Sequence, residues 1–187
     1  MSDWFAKTMT KFFRLIADTF FAKRYGHRAV VLETIAGVPG IVAGVWLHMK
    51  SLRKMEAGLG PKIREMMAEA ENERMHLMIF IDIANPTWFE RWLVLIAQGI
   101  FLVFYFFLFV FFPKTAHRMI HYFEEEAVKS YTQYLHMVDS GQAENIPATP
   151  LAKQYYNLDD DATLRDIIIK IRADEEKHAK INYGYSV

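Results

Sequence analysis

The chain has 187 residues, with 22 Lys and Arg against 22 Asp and Glu, so no net charge draws it to nucleic acid, and none is expected as a partner. That length suits one domain with a sizeable core. With no cysteine there is no disulfide framework, thiolate nucleophile, zinc finger or cysteine-ligated cluster, and any metal must sit on His and carboxylate.

Residues 3–23 place Phe5, Met9, Phe12, Phe13, Ile16, Phe20 and Phe21 at helical spacing, with Lys7, Lys11, Arg14 and Asp18 opposite. With Lys23, Arg24 and Arg28 following, residues 1–25 read as a basic amphipathic helix suited to an anionic membrane surface, or as a helix packed on the core. The absence of an apolar h-region and a small-residue cleavage site rules out a secretory signal. A second helix is expected over 28–54, kinked or broken at Gly37, Pro39 and Gly40, because proline removes a backbone donor. After a turn at 57–61, a third helix runs over 62–84. Its Lys62, Arg64, Glu65, Glu69, Glu71, Glu73 and Arg74 cannot face lipid.

Residues 88–112 are apolar enough to cross a bilayer, with Gln98 the one strongly polar side chain from Leu93 onward. Pro113 restarts a helix to about 139; a loop with Gly141, Asn145, Pro147 and Pro150 follows, then a last helix over about 160–183. No hairpin or strand pattern appears, so the fold class is all-α.

Glu73-x-x-His76 and Glu175-x-x-His178 each put a carboxylate and an imidazole on one helical face, where both can ligate one metal. Singly such a motif is weak. A di-iron carboxylate bundle needs two of them, plus one Glu from each of two other helices. Glu33, alone in the apolar run 29–36, and one or two of Glu124, Glu125 and Glu126 supply those. At about 1.5 Å per residue, the route from Glu73 through the fourth helix to Glu124 closes to within a few Å, as does the route from Glu124 to Glu175. Between Glu33 and Glu73 the levels differ by about 15 Å, which an extended 56–60 or a kink at Pro39 would absorb. The apolar fourth helix, running back beside a charged third one, is expected to lie in one leaflet of the membrane rather than cross it.

These residues resemble the alternative oxidases, cyanide-insensitive quinol oxidases with a non-haem di-iron centre. The matching stretches are Leu32-Glu33-Thr34, Asn72-Glu73-Arg74-Met75-His76-Leu77, Glu124-Glu125-Glu126-Ala127 and Arg172-Ala173-Asp174-Glu175-x-x-His178. Between them the likeness extends through Val38-Pro39-Gly40, His48, Leu52 and Ala116-His117-Arg118-Met119. Three departures stand out: Phe123 replaces the usual Leu, Glu176-Lys177 replaces Ala-x or Ala-His, and no regulatory Cys is present. The last puts thiol and 2-oxoacid regulation in doubt.

The resemblance implies a ferritin-like four-helix bundle holding two iron ions on Glu33, Glu73, His76, Glu124, Glu175 and His178, with additional amphipathic helices on a monotopic membrane face. It further implies that Glu73 and Glu175 bridge, that Asn72 and Asp174 hold the imidazole tautomers, and that Tyr131 stands near the iron. For the quinol it points to Arg28, Ala29 and Leu32 on one helix and Glu126, Ala127 and Ser130 on another. Read without the resemblance, Arg28 is equally a lipid-headgroup contact and Tyr131 an ordinary core tyrosine. His27, His48, His117, His121 and His136 read as hydrogen-bonded structural residues.

The implied reaction oxidises ubiquinol and reduces O₂ to water without proton pumping, in a homodimer attached to one leaflet. Two other classes stay open: a ferritin-like ferroxidase, and a structural membrane-bound helical protein with accidental motifs. A start at Met1 without a transit peptide favours a bacterial inner membrane, with the mitochondrial inner membrane as the alternative.

Overall fold

A computed structural model describes residues 2–21 and 25–187, with side chains from 3 to 15 and from 25 onward. The expected contributions of Ile16, Asp18, Phe20, Phe21, Lys23 and Arg24 lie outside the described side chains. The fold is all-α. Among the described residues, seven α-helices run in the order α1 Ser2–Phe21, α2 Tyr25–Lys54, α3 Gly60–Ala84, α4 Trp88–Phe111, α5 Pro113–Asp139, α6 Pro150–Tyr156 and α7 Leu164–Ser186. A single 3₁₀ turn, Ala57–Leu59, links α2 to α3. The chain divides into two compact units, Gly26–His117 and Met1–Tyr25 with Arg118–Val187.

In the first unit α2 and α3 run antiparallel, brought together by small residues. A Cβ on Gly37 would lie 3.8 Å from Glu73 Cβ, and one on Gly44 would lie 2.5 Å from Met67 Sδ. At that register Glu33 falls opposite His76 rather than Glu73. The 15 Å mismatch expected from the sequence is therefore not met by an extended 56–60, and α2 is not broken at Pro39. The 3₁₀ turn is compact, α2 is helical throughout, and the last turn of α2 overhangs with Leu52, Arg53 and Lys54 exposed. Pro39 forfeits one backbone hydrogen bond, about 1 kcal/mol, but Val38, Pro39, Gly40, Val42, Ala43, Gly44 and Leu47 are all buried around it. Burial of that stretch outweighs the missing bond.

A Cβ on Gly40 would lie 2.4 Å from the Met66 carbonyl oxygen and 2.9 Å from Ala70 N, both backbone atoms. Gly40→Ala is therefore expected to destabilise by about 1–3 kcal/mol, against the usual helical gain from replacing glycine. Gly99 on α4 has nothing within 4 Å, so Gly99→Ala should stabilise. Thermal unfolding of the two variants checks the opposite signs; equal shifts would refute the close approach.

α4 packs one stripe of Val94, Phe101, Tyr105 and Phe109 and leaves the rest outside. Its polar residue Gln98 donates to the Thr34 carbonyl of α2 at 3.2 Å. Of the apolar residues expected on one face of α1, Phe5, Met9 and Phe13 are partly buried and Phe12 is exposed. Ala6 and Thr10 are the buried stripe, while Trp4, Phe12 and Leu15 are exposed. Small residues win there because they allow close approach, which hydropathy alone does not register.

In the second unit α5 and α7 are antiparallel. His121 Nδ1 lies 2.9 Å from the Ala179 carbonyl, and Arg165 Nε donates to Asp139 at 2.7 Å. The connecting loop is pinned to the start of α7 by Ala148 N–H to Ala162 O and Leu164 N–H to Ile146 O, both 2.8 Å. Helix α6 falls where a plain loop was expected. Its signal was present: Thr149 caps it by accepting from Ala152 N–H, Pro150 sits in the first turn, and Asn157 closes it in the left-handed conformation. A capping box then starts α7, with Asp166 accepting from Thr163 N–H and Oγ1, which holds the Asp166 carboxyl below its ordinary value.

Candidate metal centre

Each unit gathers one group of two carboxylates and one imidazole. In the first, Glu33 comes from α2 and Glu73 and His76 from α3. His76 Nδ1 lies 3.3 Å from Glu33 Oε2 and 3.6 Å from Glu73 Oε2. The α2–α3 register described above, with Gly37 leaving room beside Glu73, sets those distances. In the second unit α5 carries Glu124 and α7 carries Glu175 and His178, and the antiparallel register puts Glu124 level with them.

Within each trio the ligand atoms lie within 4.8 Å of one another. Glu33, Glu73, His76, Glu124, Glu175 and His178 are all buried, with Glu73 and His76 at 0% exposure. A buried carboxylate without a cation costs several kcal/mol, so trios of hard oxygen donors with one imidazole are groups able to bind a divalent metal. Of the three glutamates at 124–126, Glu124 alone is buried.

The remaining expected site residues divide by surroundings. Arg28, Ala29, Ser130 and Tyr131 are buried; Leu32, Asn72, Glu126, Ala127 and Asp174 are partly exposed. Asp174 accepts from Tyr156 Oη at 2.7 Å. Glu126 pairs with Arg14 of α1 and with Lys129 at 2.7 Å, so Arg14, expected on the polar side of α1, meets α5 there. Phe123, the departure from the family pattern, meets Phe13 edge-on at 5.6 Å between centroids. Aromatic pairing gives that exchange a packing role.

Of the five histidines read as structural, His121 is hydrogen-bonded and His117 is buried against Phe109 at 5.4 Å. His27 lies beside Glu90, whereas His48 and His136 are exposed, against expectation. Sequence reasoning missed Glu69. It is buried one turn before Glu73, on the same face, yet reads as one more charge on a charged helix.

The alternative oxidase sequence profile matches residues 1–186. The chain belongs to the alternative oxidase family. It is similar to a mitochondrial ubiquinol oxidase of Mangifera indica, 51% identical over 181 residues, which is 97% of this chain and 57% of that protein. A mitochondrial ubiquinol oxidase of Batrachochytrium dendrobatidis is 48% identical over 186 residues, 100% of this chain and 58% of that one. For the mitochondrial alternative oxidase 3 of Glycine max the figures are 48% over 183 residues, 98% and 56%. The chain thus spans a little over half the length of these relatives. Membership in the alternative oxidase family does not favour the ferroxidase reading.

Proposed function

We propose that the chain is a ubiquinol oxidase that reduces O₂ to water at two irons. The observation that carries this reading is the matched pair of buried Glu-Glu-His trios, one in each unit. Together the two trios hold the six ligands that a ferritin-like di-iron bundle requires. Four carboxylates balance two Fe²⁺ to zero charge, which makes such a centre tolerable away from water. Bound there, the iron pair would supply the electron store between a two-electron donor and a four-electron acceptor.

The chain's own residues do the rest. Glu73 and Glu175 would be the carboxylates shared by the two irons. Asn72 and Asp174 fix the imidazoles, and the Tyr156 hydrogen bond to Asp174 keeps that carboxylate oriented. Arg28, at 6% exposure, donates to a quinol oxygen inside an apolar wall of Ala29 and Leu32. Glu126, Ala127 and Ser130 of α5 would contact the quinol, and Tyr131 would stand near the iron. Quinol-dependent oxygen uptake in cyanide, by protein holding about two irons per chain, tests the reading. Tightly bound zinc, with no uptake after iron reconstitution, would sink it.

Helices α2 and α4 are both long and apolar enough to cross a membrane, but 56% of the α2 window is buried against 22% of the α4 window. α4 shows Trp88, Phe89, Trp92, Ile96, Ile100 and Phe107 to the outside. It is proposed to lie in one leaflet of an inner membrane. The relatives' names support a mitochondrial location over a bacterial one. Single cysteines at Asn85 and Lys114, unique in a chain without others, should react with an impermeant thiol label from the same side of sealed vesicles. Reaction from opposite sides would overturn the monotopic arrangement. A homodimer would use the exposed stripe Ile41, Val45, Met49 and Leu52 of α2, whose neighbour α3 carries exposed Arg64, Glu71 and Arg74 unsuited to lipid. Light scattering should give twice the chain mass, and Val45→Glu half of it.

A further inference from the structure

His27 stands in the first turn of α2, directly before Arg28, and its Nδ1 lies 3.0 Å from Glu90 Oε1 in the first turn of α4. The side chains are 25% and 13% exposed. The other oxygen of Glu90 is already committed. Oε2 accepts from Thr87 N–H and from Thr87 Oγ1, both at 2.8 Å, in the capping box that starts α4. The carboxylate therefore cannot swing away, and Oε1 is a fixed negative charge against the imidazole. Neither residue belongs to the metal trios.

We infer that His27, held by Glu90, is the base that takes a proton from the quinol, an inference that rests on the quinol oxidase reading. With Nδ1 turned toward the carboxylate at 3.0 Å, Nε2 is the ring nitrogen left for the substrate, and the nearby carboxylate stabilises the imidazolium that forms. The quinol O–H bond breaks, its proton moves to His27 Nε2, and the electron pair stays on the quinol oxygen. The resulting quinolate is the better electron donor. Charges on both sides favour the transfer. Glu90, facing His27 from α4, favours the imidazolium, and Arg28, next on α2, favours the quinolate. The exposed quarter of His27 gives the proton a way out to water.

His27→Ala, loaded with iron and assayed in detergent with a short-chain quinol, should lose about a hundredfold in oxygen uptake. Iron per chain, unfolding midpoint and affinity for the oxidised short-chain quinone should stay at wild-type values. Added imidazole should restore uptake in proportion to its concentration. Glu90→Gln keeps an oxygen for the Thr87 cap and should lose about tenfold. If the pair merely ties α4 to α2, His27→Ala will instead lower the unfolding midpoint, weaken membrane partition and ignore imidazole. That result, or wild-type turnover by His27→Ala, overturns the inference. The parallel wild-type assay separates the two readings. No quinol-dependent uptake by the wild type overturns both, whereas normal wild-type uptake makes the His27 result bear on the base alone.

Discussion

Glu73→Gln and His178→Ala should each strip the protein of iron and, with it, of quinol-dependent oxygen uptake. Glu73 is fully enclosed, 3.6 Å from the His76 imidazole, and removing its charge deletes one of three donors in its trio. Loss of a group that merely orients a ligand typically costs ten- to a hundredfold in metal affinity, so loss of a ligand itself should cost about a thousandfold or more. Elemental analysis should fall from about two irons per chain to below one, with uptake at background. Stability supplies a second sign. The iron-loaded wild type should unfold at a higher temperature than its apo form, because the metal binds only the folded state. In the apo form Glu73→Gln should be the more stable protein, since it removes one of the four buried carboxylates of the two trios while keeping the side chain's volume. A Glu73→Gln variant that keeps full iron and normal uptake would remove Glu73 from the centre.

Much of this arrangement was legible before any coordinates. Helix limits followed the 3.6-residue period and the punctuation of Asn85-Pro86 and Pro113. The level of Glu124 against Glu175 came out well because α5 and α7 are joined by a loop pinned at both ends, so counting residues along them measures distance faithfully. The same counting failed between Glu33 and Glu73. It assumed that both helices end at the turn, whereas the α2–α3 register is set by Gly37, Gly40 and Gly44, and the surplus hangs beyond it. Period alone could not show that Ala6 and Thr10 are the most buried residues of α1. Nor could it show Glu69 to be buried among exposed charges, because both depend on which neighbour arrives.

Arg28→Ala should cut quinol oxidation by one to two orders of magnitude and leave iron untouched. Two sequence readings competed for this residue, a quinol donor and a lipid-headgroup contact. Its 6% exposure supports the first, because a headgroup contact needs the guanidinium at the surface. A guanidinium carried inside an apolar wall is instead a fixed donor for a carbonyl or quinolate oxygen. One charge-assisted hydrogen bond is worth about 1.5–3 kcal/mol, and that converts to roughly ten- to a hundredfold in rate. Because the bond forms to the ground-state quinol and strengthens as the quinolate develops, the loss should divide between a raised KM and a lowered kcat. Arg28→Lys keeps the charge but not the planar fork and should recover only part. Steady-state uptake in detergent with a short-chain quinol, alongside iron content and vesicle partition, reads all three quantities. Normal kinetics with weakened partition would return Arg28 to the membrane surface. A fall in kcat/KM at constant iron and constant partition assigns it to the substrate, on the same turn of α2 as His27 and one and a half turns from Glu33.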